Sequence, residues 1–336
     1  MRLRSVPAFL LALALSGSLP LAQAQVAVGG ETSPQPSGAP DLAAVHPYHD
    51  GGIRDIDAIG SRNVGCGRGL GNWYSLERQM EMGRGYSAEV ESTATMIGDP
   101  QVTEYVNRVG QNIVRNSDSQ VPFVIKVIDS DDINAFALPG GFFYMDAGLI
   151  LAADSEAELA GVMAHEIAHV AACHAARGHT RGQLMNLVSI PLMMIGGPIG
   201  YVAYQSMNMA MPLTYLRFSR RFETEADYLG VQYMYKAGYD PQALTAFFEK
   251  LKSFENHKES AIAKAFRTHP QTPDRIERTK EEIKSLLPPQ SEYKVDTSDF
   301  QDVKARLNQL ENRMRLHAGE AGRPTLRRRP HPASED

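Results

Sequence analysis

The stretch GVMAHEIAHVAACHAARG, residues 161–178, decides how this chain is read. Three histidines, a glutamate and a cysteine sit among small and aliphatic residues. Ser155 and Glu158 stand in the S-x-x-E relation of a capping box, so a helix starts near Glu156, and Gly178 is a natural stop. His165 and His169 are four apart; their imidazoles leave the same face and can converge on one ion. Glu166 leaves the helix about 100° further round. This is the H-E-x-x-H arrangement, in which two imidazoles hold zinc and the glutamate acts as base beside it. Val162, Met163, Ala164, Ile167, Ala168, Val170 and Ala171 are uncharged, so the helix can be buried. The competing reading is a core helix with two satisfied histidines. It must bury a carboxylate with no cation nearby in sequence, which is costly.

A catalytic zinc takes three protein ligands and keeps one position open. Neither short-range pattern supplies the third. Ala172 and Ala175 stand where one pattern has Gly and His, and Val188 and Ser189 where another has Glu. On a continuous helix His174 points off the metal face. A second helix is expected over LRFSRRFETEADYLGVQYMYKAG, Leu216 to Gly238. Glu223 and Asp227 share one of its faces and Glu225 points elsewhere. Glu223 completes a His-His-Glu site, with Asp227 accepting from the far nitrogen of a zinc histidine; or both belong to a solvated acidic face balanced by Arg217, Arg220 and Arg221.

Around these helices the pattern is α+β. Helices are expected over LERQMEMGRGYSAEVES and DPQVTEYVNRVGQNIVRNS, and strands over Pro122–Ser130 and Phe142–Gly148, separated by Leu138-Pro139-Gly140-Gly141. Strands and helices in separate blocks argue against an alternating α/β fold.

The 336-residue chain is 43% hydrophobic with a net charge of −5, which permits a sizeable core and gives no whole-chain case for nucleic-acid binding. Residues 1–24 have the charged, apolar and A-x-A order of a secretory signal peptide, which places the mature chain in the periplasm. Residues 25–73 read as a flexible or loosely docked Gly/Pro-rich leader, 74–316 as the domain, and 317–336 as a disordered tail containing Arg327, Arg328 and Arg329. Cys66 and Cys173 either pair or stay apart; their spacing does not decide. The apolar run 184–204 is broken by Pro191, Gly196, Gly197, Pro198 and Gly200, and reads either as a cover between the zinc helices, in contact with substrate or membrane, or as a buried core segment.

NAFALPGGFFYMDAGLI (134–150), HEIAH (165–169), SRRFETEAD (219–227) and THPQTPDRI (268–276) occur in the order seen in the HtpX-like zinc metallopeptidases, which include the CAAX prenyl endoproteases. The chain resembles that family over about residues 83–310, most closely its periplasmic branch of β-barrel-assembly-enhancing proteases. It departs from that branch in showing no tetratricopeptide repeats after the domain.

The resemblance implies a zincin-like α+β domain, mostly helical, with a small sheet whose edge lies beside one zinc ion. It implies that His165, His169 and Glu223 hold the metal and that Glu166 is the general base. It brings His269 to the zinc, as a fourth ligand or a transition-state donor, and has Arg275 orient that loop or the carboxylates. Gly140, Gly141, Phe142, Phe143 and Tyr144 are then the sheet edge that pairs with an extended substrate.

The implied activity is endoproteolysis of unfolded or misassembled envelope proteins. The outer-membrane assembly machinery and the membrane surface are the further implied partners. Two alternatives stand beside it: a chaperone-like assembly factor with latent protease activity, and a structural zinc protein.

Overall fold

Helix α4, Glu156–Ala171, carries HEIAH and forms the centre of the molecule. Ser155 caps it by accepting from the Glu158 N–H, and Glu158 Oε2 accepts in turn from Asp154 N–H. The capping pair of the sequence is therefore present, its return bond made one residue before the cap. Nearly every α4 side chain is buried, its glutamates Glu156, Glu158 and Glu166 among them. The computed structural model describes residues 48–184, 219–255, 269 and 272–321. The signal peptide, the leader before residue 48, nearly all of the 184–204 segment and the tail from 322 lie outside the described residues.

Two helices precede the sheet: α1, Leu76–Thr93, and α2, Pro100–Arg115. Asp99 caps α2 and Pro100 opens it, a position where the missing N–H costs nothing. Val102, Tyr105, Val106, Val109 and Ile113 form its buried stripe, packed on α4 and on the first strand. Strands β1 (Val124–Ile128), β2 (Ala135–Leu138) and β3 (Phe142–Asp146) follow, then the short helix α3 (Ala147–Ala152). The chain reverses between β2 and β3 at Gly140 and Gly141, whose φ values of +77° and +92° favour glycine.

The strand order is β1-β3-β2, with β1 parallel and β2 antiparallel to β3. This corrects the expectation that Gly140, Gly141, Phe142, Phe143 and Tyr144 offer the free sheet edge. Phe142–Tyr144 lie in the middle strand, and their backbone groups are taken by neighbours on both sides. The edge beside α4 is β2. Asn134 C=O accepts from Asp146 N–H, so alternation turns the polar groups of Ala135 and Ala137 away from β3.

Helix α4 stops at Ala171 rather than running to Gly178. Cys173 adopts φ +52°, and the chain is helical again over 174–184 (α5). Cys173 is joined to Cys66 by a disulfide, which settles the pairing left open by the sequence. Then come α6 (Arg220–Lys236, capped by Ser219), α7 (Gln242–Glu255), α8 (Pro273–Leu286) and α9 (Ser298–Ala321). Helix α9 continues past Leu316 into the stretch expected to be tail. Helices α6 and α7 pack on α4, and α8 packs on both α6 and α7. Gly230 lets α6 approach closely: a Cβ there would lie 3.3 Å from His165 Cα.

Of the two forms expected of the leader, residues 48–73 take the docked one. Ile56, Arg62 and Val64 are buried. Arg62 donates to Asp118 from Nε and Nη2, the latter at 2.6 Å, and to Gln232 at 2.7 Å. Asp118 also accepts from Tyr233 OH. A low-complexity composition says nothing of one buried arginine and one disulfide, and these two hold the segment to the domain.

Candidate active site

The residues that could hold a metal come from three parts of the chain. Helix α4 supplies His165 and His169, the first turn of α6 supplies Glu223, and His269 lies shortly before α8. All four are buried, and one donor atom from each lies within 4.8 Å of every other. His165 Nε2 is 3.1 Å from His169 Nε2 and 3.4 Å from His269 Nδ1. Glu223 oxygens lie 3.6 Å from each of His165 Nε2 and His169 Nε2, and 3.1 Å from His269 Nδ1.

This donor set fits zinc. Four nitrogen or oxygen donors bonded to zinc at about 2.0–2.1 Å stand roughly 3.3–3.4 Å apart at the corners of a tetrahedron. The observed separations bracket that edge length. The electrostatics point the same way. Burial opposes a charged imidazole, yet the Asp227 and Glu223 carboxylates lift His165 to about 10. Burial likewise opposes a charged Glu223, but His269, His165 and His169 hold its carboxyl well below the usual range. Burial pushes His169 the other way, well below the ordinary imidazole value, so it stands as a neutral ring with a nitrogen lone pair to offer.

Behind the cluster, Asp227 Oδ1 lies 3.0 Å from His165 Nδ1. Arg275 donates to both Asp227 oxygens at 2.7 Å, and its Nη1 lies 3.0 Å from Glu223 Oε2. Asp227 and Arg275 therefore meet the Glu223 carboxylate and the His165 imidazole together. The solvated acidic face considered from the sequence does not form, because Glu223 and Asp227 are both buried.

Glu166 stands beside the cluster. Ala137 N–H on the β2 edge donates to Glu166 Oε2 at 3.2 Å, and Oε1 faces His269 Nε2 at 3.5 Å. Burial raises its pKa above the ordinary carboxylate value, which suits a group that must take and return a proton. A small cavity opens next to it, walled by Ile133, Val162, Phe247, Phe248 and Leu251. Of the expected substrate edge, Gly140, Gly141, Phe142, Phe143 and Tyr144, none lines this cavity; Asn134 and Ala135 do.

Sequence reasoning missed His174 and Glu225. His174 Nδ1 lies 2.9 Å from His169 Nδ1, and His174 Nε2 lies 3.5 Å from Glu225 Oε2. Burial works against a charged Glu225, but His174 and Arg177 hold its carboxyl down at about 2. On an unbroken helix residue 174 would stand about 140° round from 169. The bend at Ala172-Cys173 brings it back. The signal was the histidine itself, five residues after His169.

Among the described residues no helix is long and apolar enough to cross a membrane. Residues 100–283 match the model of peptidase family M48. The chain is 32% identical to the beta-barrel assembly-enhancing protease of Escherichia coli over 71% of this chain and 50% of the relative. It is 33% identical to the mitochondrial metalloendopeptidase OMA1 of Schizosaccharomyces pombe, over 59% and 56%, and 30% identical to the metalloprotease LoiP of Escherichia coli, over 58% and 76%. The chain spans about half the length of the first of these relatives. With more than half of its length matched, and a buried His-His-Glu-His cluster within that match, the chain belongs to peptidase family M48, as a metallopeptidase of the branch resembling the beta-barrel assembly-enhancing protease.

Proposed function

We propose that the chain is a zinc-dependent endopeptidase that cleaves unfolded or misassembled envelope proteins in the periplasm, where its signal peptide delivers it. The observation that carries this is the convergence of His165, His169 and Glu223 on one point, with Glu166 fixed beside them by the β2 edge. These three residues would hold the metal. Zinc bound there supplies a Lewis acid and an acidified water.

Glu166 Oε2 is anchored on Ala137 N–H, which leaves Oε1 to take the proton of the attacking water and deliver it to the leaving amine. An extended peptide pairs with the outward groups of β2 near Ala135, which lays its scissile bond along Glu166. His269, with Nδ1 3.4 Å from His165 Nε2 and 3.1 Å from Glu223, would be a fourth donor to a bound zinc, and substrate would then have to take its place. Its other nitrogen, Nε2, lies 3.5 Å from Glu166 Oε1, on the side where it could donate to the oxyanion instead. Asp227 and Arg275 fix the orientation of His165 and Glu223.

A zinc held by all four donors would be latent at rest, which gives weight to an assembly factor that cleaves only engaged clients. The name of the Escherichia coli relative supports β-barrel assembly as the setting. The outer-membrane assembly machinery and the membrane surface are the proposed partners.

The test compares zinc content and cleavage of a denatured protein in three forms. Glu166→Gln keeps zinc and loses about 10²–10⁴-fold in rate, the usual worth of a general base. Glu223→Ala loses the metal. Wild-type cleavage by Glu166→Gln, or wild-type zinc in Glu223→Ala, removes the reading.

A further inference from the structure

A buried run of polar contacts leads outward from His169 and has no part in the reaction above. His169 Nδ1 meets His174 Nδ1 at 2.9 Å, and His174 Nε2 faces Glu225 Oε2 at 3.5 Å. Arg177 donates to both Glu225 oxygens, at 3.0 and 3.1 Å. His174 is fully buried and stacks on Phe222, with ring centroids 4.4 Å apart.

A neutral imidazole that offers one nitrogen to a metal carries its proton on the other and must hand it to an acceptor. For His165 that acceptor is Asp227. For His169 the atom at bonding distance is His174 Nδ1. His174 can accept there only with its own proton on Nε2, the nitrogen that faces Glu225. Arg177 grips both Glu225 oxygens and so fixes the carboxylate that faces His174. Each group thereby fixes the tautomer of the one before it.

We infer that His174, backed by Glu225, is a positioning residue for His169. It does for the second histidine what Asp227 does for the first. The inference rests on the reading of His169 as a metal ligand. The fold contributes the bend that makes the contact: Cys173 at φ +52°, tied to Cys66, turns α5 so that its first residue faces back onto α4. The leader presses on the same bend, since a Cβ on Gly65 would lie 3.1 Å from Ala172 C=O. Trp73 N–H donates to Thr180 Oγ1 about two turns further along.

Packing alone and positioning predict different orders among three variants. His174→Phe keeps an aromatic ring on Phe222 but has no polar atom. His174→Asn places a polar atom where the imidazole has Nδ1, and His174→Gln places one where it has Nε2. Zinc affinity is measured by competition with a chelator, the cobalt-substituted forms by their visible absorption, and folding by melting of the metal-free proteins. Positioning predicts that Phe and Gln lose about ten- to a hundred-fold in zinc affinity and shift the cobalt bands. Asn retains most of the affinity, and Glu225→Gln weakens binding in the same direction as Phe.

Wild-type affinity in His174→Phe overturns the inference, as do equal affinities for Asn and Gln. If the Phe variant shows no cooperative melt, the comparison of Asn with Gln decides. His169→Ala separates the two layers of argument. Undiminished zinc binding there removes the metal-centre reading itself. Lost binding there, with wild-type affinity in His174→Phe, removes only the positioning role.

Discussion

Arg275 joins the stability of the fold to the readiness of the site. Its guanidinium holds both oxygens of Asp227 at 2.7 Å and reaches Glu223 at 3.0 Å, with 6% of the arginine side chain and 2% of each carboxylate side chain exposed. Arg275→Met keeps much of the side chain's bulk and removes the charge. Asp227 is then left with the His165 ring as its remaining partner from this trio. Deleting one member of a buried ion pair costs about 3–5 kcal/mol, because the other charge stays behind. For a domain of this size each kcal/mol moves Tm by roughly 2–4 °C. The metal-free variant should therefore melt about 6–20 °C below the metal-free wild type. Metal-free protein is used because bound zinc adds its own stabilisation.

The loss should shrink in acid. Burial works to raise the pKa of Asp227, but Arg275 and His165 hold it below the ordinary value. Its stabilising contribution is complete above the unfolded pKa, about 3.9, and fades as pH falls through the lower folded value. A protonated Asp227 needs no guanidinium, so the wild type and the variant converge there. Arg275→Lys should recover only part of the loss, since an ammonium cannot grip two oxygens in the same fork. An Arg275→Met protein that melts with the wild type at neutral pH and binds zinc equally would falsify this account of the carboxylate pair.

His269→Ala should keep zinc on the remaining three ligands and raise basal cleavage of a denatured protein, since the fourth corner is opened. A fall in cleavage with zinc retained assigns His269 to the oxyanion instead, and an unchanged rate rejects both roles. Arg62→Ala should cost about 3–5 kcal/mol in chemical denaturation, because Asp118 loses its counter-charge inside the fold. A loss under about 1 kcal/mol, the ceiling for an exposed pair, means that the leader does not dock through this arginine.

What could be read in the sequence was whatever repeats along a single helix. The four-residue spacing of His165 and His169, and of Glu223 and Asp227, fixes shared faces because helix geometry is local. The caps at Ser155 and Asp99 follow from side chains bonding their own helix starts. The family resemblance joined those faces and added His269 and Arg275, and the structure brings all of them together.

Tertiary structure alone decided the strand order, the bend and the docked leader. Phe142–Tyr144 carry the stronger β pattern, but strength of pattern marks burial, and the most buried strand of a three-stranded sheet is the middle one. The edge that Glu166 meets is Ala135–Leu138, four residues with no local sign that Ala137 N–H would face a carboxylate across the fold. The helix pattern runs through Ala172-Cys173 without a break; a covalent bond to Cys66, 107 residues earlier, marks the place where the chain turns and brings His174 back to His169. Local periodicity records which face a residue takes on its own helix. It holds no record of a partner far along the chain, and that partner is what sets each of these three features.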